Sequence, residues 1–127
     1  MARENFVLKT LLEKGEIIWR PKGSSMTPRI HSGDQVKIIN CSPQVFRVGD
    51  IAYAKVRGNY YLHLLTAIDT SAGSGQLARY QISNNHGHCN GWTEAKNMFG
   101  ILVQVEGKIL LTQQDIKSRM TEVVEKI

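Results

Sequence analysis

The feature that most narrows the fold is a series of short apolar runs, rich in β-branched and aromatic residues, each delivered by a glycine-bearing turn. "GDQVKIIN" and "GDIAYAKV" open on Gly-Asp, and "GNYYLHLLTAI" opens on Gly-Asn. Glycine reaches positive φ without steric cost, and Asp or Asn side chains bond nearby backbone groups, so each pair marks a turn that leads into a strand. The last two runs, meeting at Gly58-Asn59, predict a hairpin. "EIIWR" precedes them as a further strand. Beyond the small, turn-like "SAGSGQ" (71–76), "ARYQIS" and "MFGILVQVEGKILL" supply two or three more, with Asn90-Gly91 expected as a tight turn between them. Short strands punctuated in this way predict a mainly β, mostly antiparallel body.

A helix is expected at each end. Residues 3–14 put Phe6, Val7, Leu11 and Leu12 at helical spacing, and Gly15 is placed to stop them. In 112–127, Thr112 and Asp115 match the Ser/Thr-x-x-acid start signal, and Ile116, Met120, Val123 and Ile127 share one face. That stripe is expected to pack on the body, with a homodimer face as its alternative use. The chain therefore divides into a helix (1–15), a β body (16–111) and a second helix (112–127). With 127 residues, 42% apolar composition and only three prolines, 1–127 suits a single domain with its own core.

Composition excludes several classes. No uncharged apolar run approaches the roughly 20 residues that cross a bilayer, and charges interrupt the N-terminus, so neither a membrane anchor nor a signal peptide is expected. Cys41 and Cys89 are too few for a disulfide scaffold and fit a reducing, cytoplasmic setting. The net charge of +5 is spread singly over Arg20, Lys22, Arg29, Lys37, Arg47, Lys55 and Arg57. Without a clustered basic run or interleaved aromatics, that spread argues against a dedicated nucleic-acid surface.

The segment "RPKGSSMTPRI" (20–30) raises a chemical question, because a nucleophilic serine needs an exposed hydroxyl, a base in reach and N–H donors for the oxyanion. Gly23 permits unusual dihedrals before the two serines, and Pro28 stiffens the exit. The base must come from elsewhere in the chain. Of the four histidines, His63 is the one set in a strand, where a sheet can hold the ring still.

Taken in order, "GSSMTPRIHSGDQVKI", "VGDIAYAKV", "YYLHLLTAI" and "RYQISNNHGHCNGW…FGILVQV" resemble the successive blocks of the superfamily that joins signal peptidases to LexA-type self-cleaving repressors. The resemblance spans about residues 19–106. It implies a coiled, mostly antiparallel β fold of the LexA/signal-peptidase type, with Ser25, directly before the methionine, as nucleophile. It further implies His63 as general base, in the place where most bacterial relatives carry lysine and the endoplasmic-reticulum type carries histidine. Relatives that use histidine place an acid in a "GDN"-like segment, whereas "SNN" stands here, so Ser83, Asn84 or Asp69 is expected to orient His63. Gly23 replaces the hydroxyl that signal peptidases often add to the oxyanion hole, which leaves the backbone N–H groups of Ser24 and Ser25.

Other motifs read more plainly. "HGHC" (His86, His88, Cys89) lacks the four ligands and spacing of a structural zinc site, so a polar turn is expected and no metal. His31 reads as a solvated turn residue, and Trp92 and Met98 as core. "SAGSG" resembles a repressor-type Ala-Gly cleavage site at Ala72-Gly73, but only 24 residues precede Ser25, too few for the DNA-binding domain such repressors carry, so a flexible loop is expected. The leading expectation is a small soluble serine endopeptidase, without cofactor, acting on an extended peptide. A peptide-binding module of the same fold without turnover, and a DNA-associated regulator, are the alternatives.

Overall fold

The computed structural model describes residues 5–125. Residues 3 and 4 of the expected first helix, and Ile127 and the Val123 side chain of the second helix's stripe, lie outside the described residues. The body is mainly β, an antiparallel sheet of eight strands with a helix at each end. In chain order the elements are α1 (Phe6–Lys14), β1 (Glu16–Trp19), β2 (Val36–Ile39), β3 (Ile51–Val56), β4 (Asn59–Asp69), β5 (Arg79–Ser83), β6 (Cys89–Glu94), β7 (Met98–Val105), β8 (Lys108–Ile109) and α2 (Gln113–Glu125). Strand order across the sheet is β1-β2-β7-β3-β4-β5-β6, with β8 paired to β7. The sheet coils until its last strand returns to β3, where Thr93 Oγ1 donates to the Lys55 carbonyl at 2.7 Å.

Local signals account for most of these boundaries. Asn5 caps α1 by accepting from the Leu8 N–H at 3.0 Å, and Gly15 ends it at φ 79°. The two Gly-Asp pairs close the same turn: Asp34 accepts from the His31 N–H at 2.8 Å, and Asp50 from the Arg47 N–H at 2.7 Å. At α2 the start signal is realised in both directions, with Thr112 Oγ1 accepting from the Asp115 N–H and the Asp115 carboxylate accepting from the Thr112 N–H. That second bond holds the Asp115 carboxyl below its ordinary range.

The expected hairpin at Asn90-Gly91 is not formed there. Asn84 Oδ1 accepts from the N–H groups of both His86 and His88, at 2.8 and 2.9 Å, and closes the turn several residues earlier. Asn90 and Gly91 therefore fall inside β6, a strand the sequence reading leaves out.

Because strand side chains alternate, β3 supplies both halves of the core. Ala52, Ala54 and Val56 join one cluster with Leu65, Tyr80, Ile82 and Ile101. Ile51 and Tyr53 join the other with Leu11, Met26, Ile38 and Leu102. Val7 and Leu11 of α1 are buried, whereas Phe6 and Leu12 of the expected stripe face outwards at 68% and 63% exposure. With only nine residues, the helix rests on the sheet through a face too narrow to cover all four. Met98 is in the core as expected, but Trp92 is partly exposed, since its β6 neighbours Gly91 and Thr93 take the inward positions.

Gly100 sits where β7 crosses beneath α1, and a Cβ there would meet Ile38 Cγ2 at 2.8 Å and the Ile39 carbonyl oxygen at 2.9 Å. A backbone carbonyl in a ladder cannot step aside. Gly100→Ala is expected to destabilise the protein by about 1–3 kcal/mol, read as a lowered urea midpoint at unchanged slope.

α2 docks through charge as well as through Ile116, which packs against the first cluster. Arg119 Nη1 lies 2.7 Å from the Asp50 carboxylate, both side chains nearly buried, and also donates to the Val45 carbonyl at 3.2 Å. The face considered for a homodimer is thus partly engaged within the chain. Arg119→Ala strands a largely desolvated carboxylate. It is expected to cost about 3 kcal/mol in chemical denaturation, while Arg47→Ala, at the exposed pair with Glu122, should stay within about 1 kcal/mol.

Candidate active site

The serine turn is built from its own sequence. Met26 and Ile30, four residues apart, are both 4% exposed and sink into the second core cluster, tied by an Ile30 N–H bond to the Met26 carbonyl at 3.0 Å. Thr27 N–H bonds the Ser24 carbonyl at 3.2 Å. The result is a tight, helix-like bend anchored by two apolar side chains, with Ser25 left on its outer side. Gly23 precedes it at φ 115°, a backbone that side chains other than glycine's rarely adopt. The base of the loop is fastened by the Gly33 N–H on the Pro21 carbonyl at 2.8 Å and by Arg20 Nη1 on the Gly33 carbonyl at 3.0 Å.

His63 reaches this serine from the middle of β4. Its strand partner is Ala52, whose small side chain leaves the imidazole room, and the Tyr61 ring lies 4.8 Å away, centroid to centroid. Ser25 Oγ and His63 Nε2 are 2.9 Å apart. The other ring nitrogen, Nδ1, is 2.7 Å from Asn90 Oδ1. An amide oxygen can only accept, so Nδ1 carries the proton and Nε2 presents its lone pair to the serine hydroxyl. Burial holds the His63 pKa below its ordinary 6.5; the Asn90 bond opposes the shift and nearby His88 adds to it. The ring is therefore neutral at pH 7 and able to take a proton.

Asn90 is the residue that the sequence reading misses. Ile82 pairs with Gly91 and Ser83 with Cys89, so Asn90 is the extra residue of a β-bulge in β6. A bulge turns its side chain out of the ordinary alternation, and here it turns towards His63. Of the residues expected in that role, none hydrogen-bonds the ring. Ser83 Oγ bonds Thr66 Oγ1 at 2.9 Å, and Asn84 Oδ1 is committed to the His86 and His88 N–H groups. Asp69 lies six residues along β4, about 20 Å away at strand rise, where it accepts from the Ser71 N–H at 2.9 Å. Only an Asn-Gly pair inside a run otherwise fit for a strand hints at the bulge in the sequence.

A cleft of about 360 Å³ opens beside the pair, walled by Trp19, Met26, Tyr60 and Leu62, with Lys22 and His31 at its polar side. The β4 ladder with β3 covers Asn59–Leu64 on one edge, and the ladder with β5 on the other begins only at Leu64. Residues 59–63 thus keep one edge that no strand among the described residues pairs. The N–H groups of Ser24 and Ser25 make no hydrogen bond to the described residues.

None of the remaining sequence candidates is a member of the Ser25–His63–Asn90 relay. His86 and His88 are exposed in the 84–88 turn, and no group of three metal-binding side chains occurs among the described residues. Cys41 and Cys89 are both unpaired; burial pushes the Cys41 thiol up to about 12, which keeps it protonated. Ala72 and Gly73 occupy the loop between β4 and β5. Among the described residues, no helix is long and apolar enough to cross a membrane. A scan against protein-family models matches no family, and a search of curated proteins finds no match.

Proposed function

We propose that the chain is a small serine endopeptidase whose coiled antiparallel body is of the signal-peptidase/LexA type. The observation that carries this reading is the relay Ser25 Oγ to His63 Nε2 at 2.9 Å and His63 Nδ1 to Asn90 Oδ1 at 2.7 Å. In this mechanism His63 accepts the hydroxyl proton as Ser25 Oγ attacks a peptide carbonyl. The Ser25 and Ser24 N–H groups receive the oxyanion, and His63 returns the proton to the leaving amine. Water then enters by the same route and releases the acyl group from Ser25.

The open edge of β4 at 59–63 suits a substrate laid in as an extended strand, its backbone bonded along the edge and its side chains reaching the cleft. The resemblance adds a small residue before the cut. Two unpaired cysteines fit a reducing compartment such as the cytoplasm. A second reading, a module that holds such a peptide without turnover, is favoured by the neutral amide where histidine-using relatives place an acid. Incubation of the protein and of Ser25→Ala with a peptide library, read by mass spectrometry, separates the two: cleavage by the first alone supports the peptidase, and capture without cleavage by either supports the module.

A further inference from the structure

The turn 84–88, which the relay does not use, bonds both peptide units that flank the nucleophile. The Ser24 carbonyl accepts from His86 Nε2 at 3.0 Å, from Thr27 Oγ1 at 2.9 Å and from the Thr27 N–H at 3.2 Å. The Ser25 carbonyl accepts from the Asn85 N–H at 2.9 Å. Asn85 Nδ2 also donates to the Thr27 carbonyl at 2.9 Å, and its Oδ1 accepts from Arg29 Nε at 2.9 Å.

The Ser24–Ser25 peptide is trans, so its carbonyl and its N–H, the N–H of Ser25, point in opposite directions within one plane. Three donors on the Ser24 oxygen fix that plane. With the carbonyl turned towards His86, the Ser25 N–H is turned away from the 84–88 turn, and Ser25 and Gly23 line the cleft whereas no residue of that turn does. A carbonyl can only accept, so towards Ser24 His86 presents Nε2–H, which the ring can do whether neutral or charged; the same Nε2 lies 3.1 Å from Thr27 Oγ1, so His86 and Thr27 meet each other as well as the carbonyl.

We propose that His86, together with Thr27, is a positioning residue for the oxyanion hole: it clamps the Ser24 carbonyl and so aims the Ser25 N–H at the site where the oxyanion forms. The proposal rests on the peptidase reading for its catalytic consequence, but the orientation it assigns is a property of the free protein. A hole acts through donors already aimed before charge develops, so loosening this plane lowers the rate of the chemical step more than it weakens substrate binding.

The test uses the full chain and the variants His86→Ala, His86→Gln and Thr27→Val. In the ¹⁵N-labelled free protein, the Ser25 N–H residual dipolar coupling is expected to change in His86→Ala while the couplings of Ile51–Val56 stay fixed. His86→Gln, which keeps an N–H donor, is expected to restore much of it. On a peptide that the wild type cleaves, kcat is expected to fall about three- to tenfold in His86→Ala, as for loss of one neutral hydrogen bond, with KM within about twofold. An unchanged Ser25 coupling in both His86→Ala and Thr27→Val overturns the clamp, whatever the activity. A rise in KM alone overturns its role at the oxyanion. A wild type that cleaves no peptide sinks the peptidase reading instead, and the coupling still decides the clamp.

Discussion

Ser25→Ala is expected to remove peptide hydrolysis, by about 10³-fold or more in kcat/KM, without loss of stability. In the proposed mechanism the Oγ is the atom that bonds to the acyl group, and among the described residues no other hydroxyl lies on His63 Nε2. Its removal leaves the apolar anchors Met26 and Ile30 in place, so the turn keeps its shape. His63→Ala is expected to lose about 10²–10⁴-fold, because a serine hydroxyl without a base is a poor nucleophile at neutral pH. Kinetics on one cleaved peptide, with thermal melts of each protein, check both values. Equal cleavage by wild type and Ser25→Ala would mean that the activity belongs to another group or to a contaminant.

The second large effect concerns Asn90. In the wild type, kcat/KM should rise with pH through an apparent pKa below 6.5 and level off at neutral pH, since burial disfavours the charged imidazole. Asn90→Asp places a carboxylate on Nδ1. It should move the acidic limb to higher pH and raise the plateau rate about tenfold, because a charged carboxylate stabilises the imidazolium formed in the transition state more strongly than the neutral Asn90 amide does. Asn90→Leu should lose about 10²-fold, as nothing then fixes the tautomer that presents Nε2 to Ser25. A pH–rate series over the three proteins reads all of this. An acidic limb that stays put in Asn90→Asp would show that His63 is not the titrating base.

The same shift carries a stability consequence of stated sign. The folded His63 pKa lies below the unfolded one, so the unfolded chain binds this proton first as pH falls. The contribution is complete above pH 6.5 and is lost as pH drops through the folded pKa. His63→Gln should flatten that part of the stability profile.

Residues whose partners lie close in sequence were legible in advance. Gly15 ending α1, the Gly-Asp turns before β2 and β3, and the reciprocal Thr112–Asp115 cap each depend on a few neighbouring residues. Ser25 and His63 were reached differently, through the order of blocks and their resemblance to a family, since nothing in local propensity joins residues 38 apart. The structure brings the two within hydrogen-bond distance. At the end of β5 two local signals compete: Asn90-Gly91 is a strong turn pair, but Asn84 closes the turn first by taking two N–H groups.

The sequence alone determined an antiparallel β body with capped helices and a serine in a tight bend, because these follow from alternation, glycine dihedrals and side-chain bonds to adjacent backbone. Only the tertiary structure decided which residue orients His63, which carbonyl His86 holds and which charge Arg119 meets. Each of those depends on strand register or on docking between segments far apart in the chain. A single bulged residue in β6 moves Asn90 from a predicted turn to the imidazole, and the Asn-Gly pair that hints locally at a bulge does not say which distant side chain it meets.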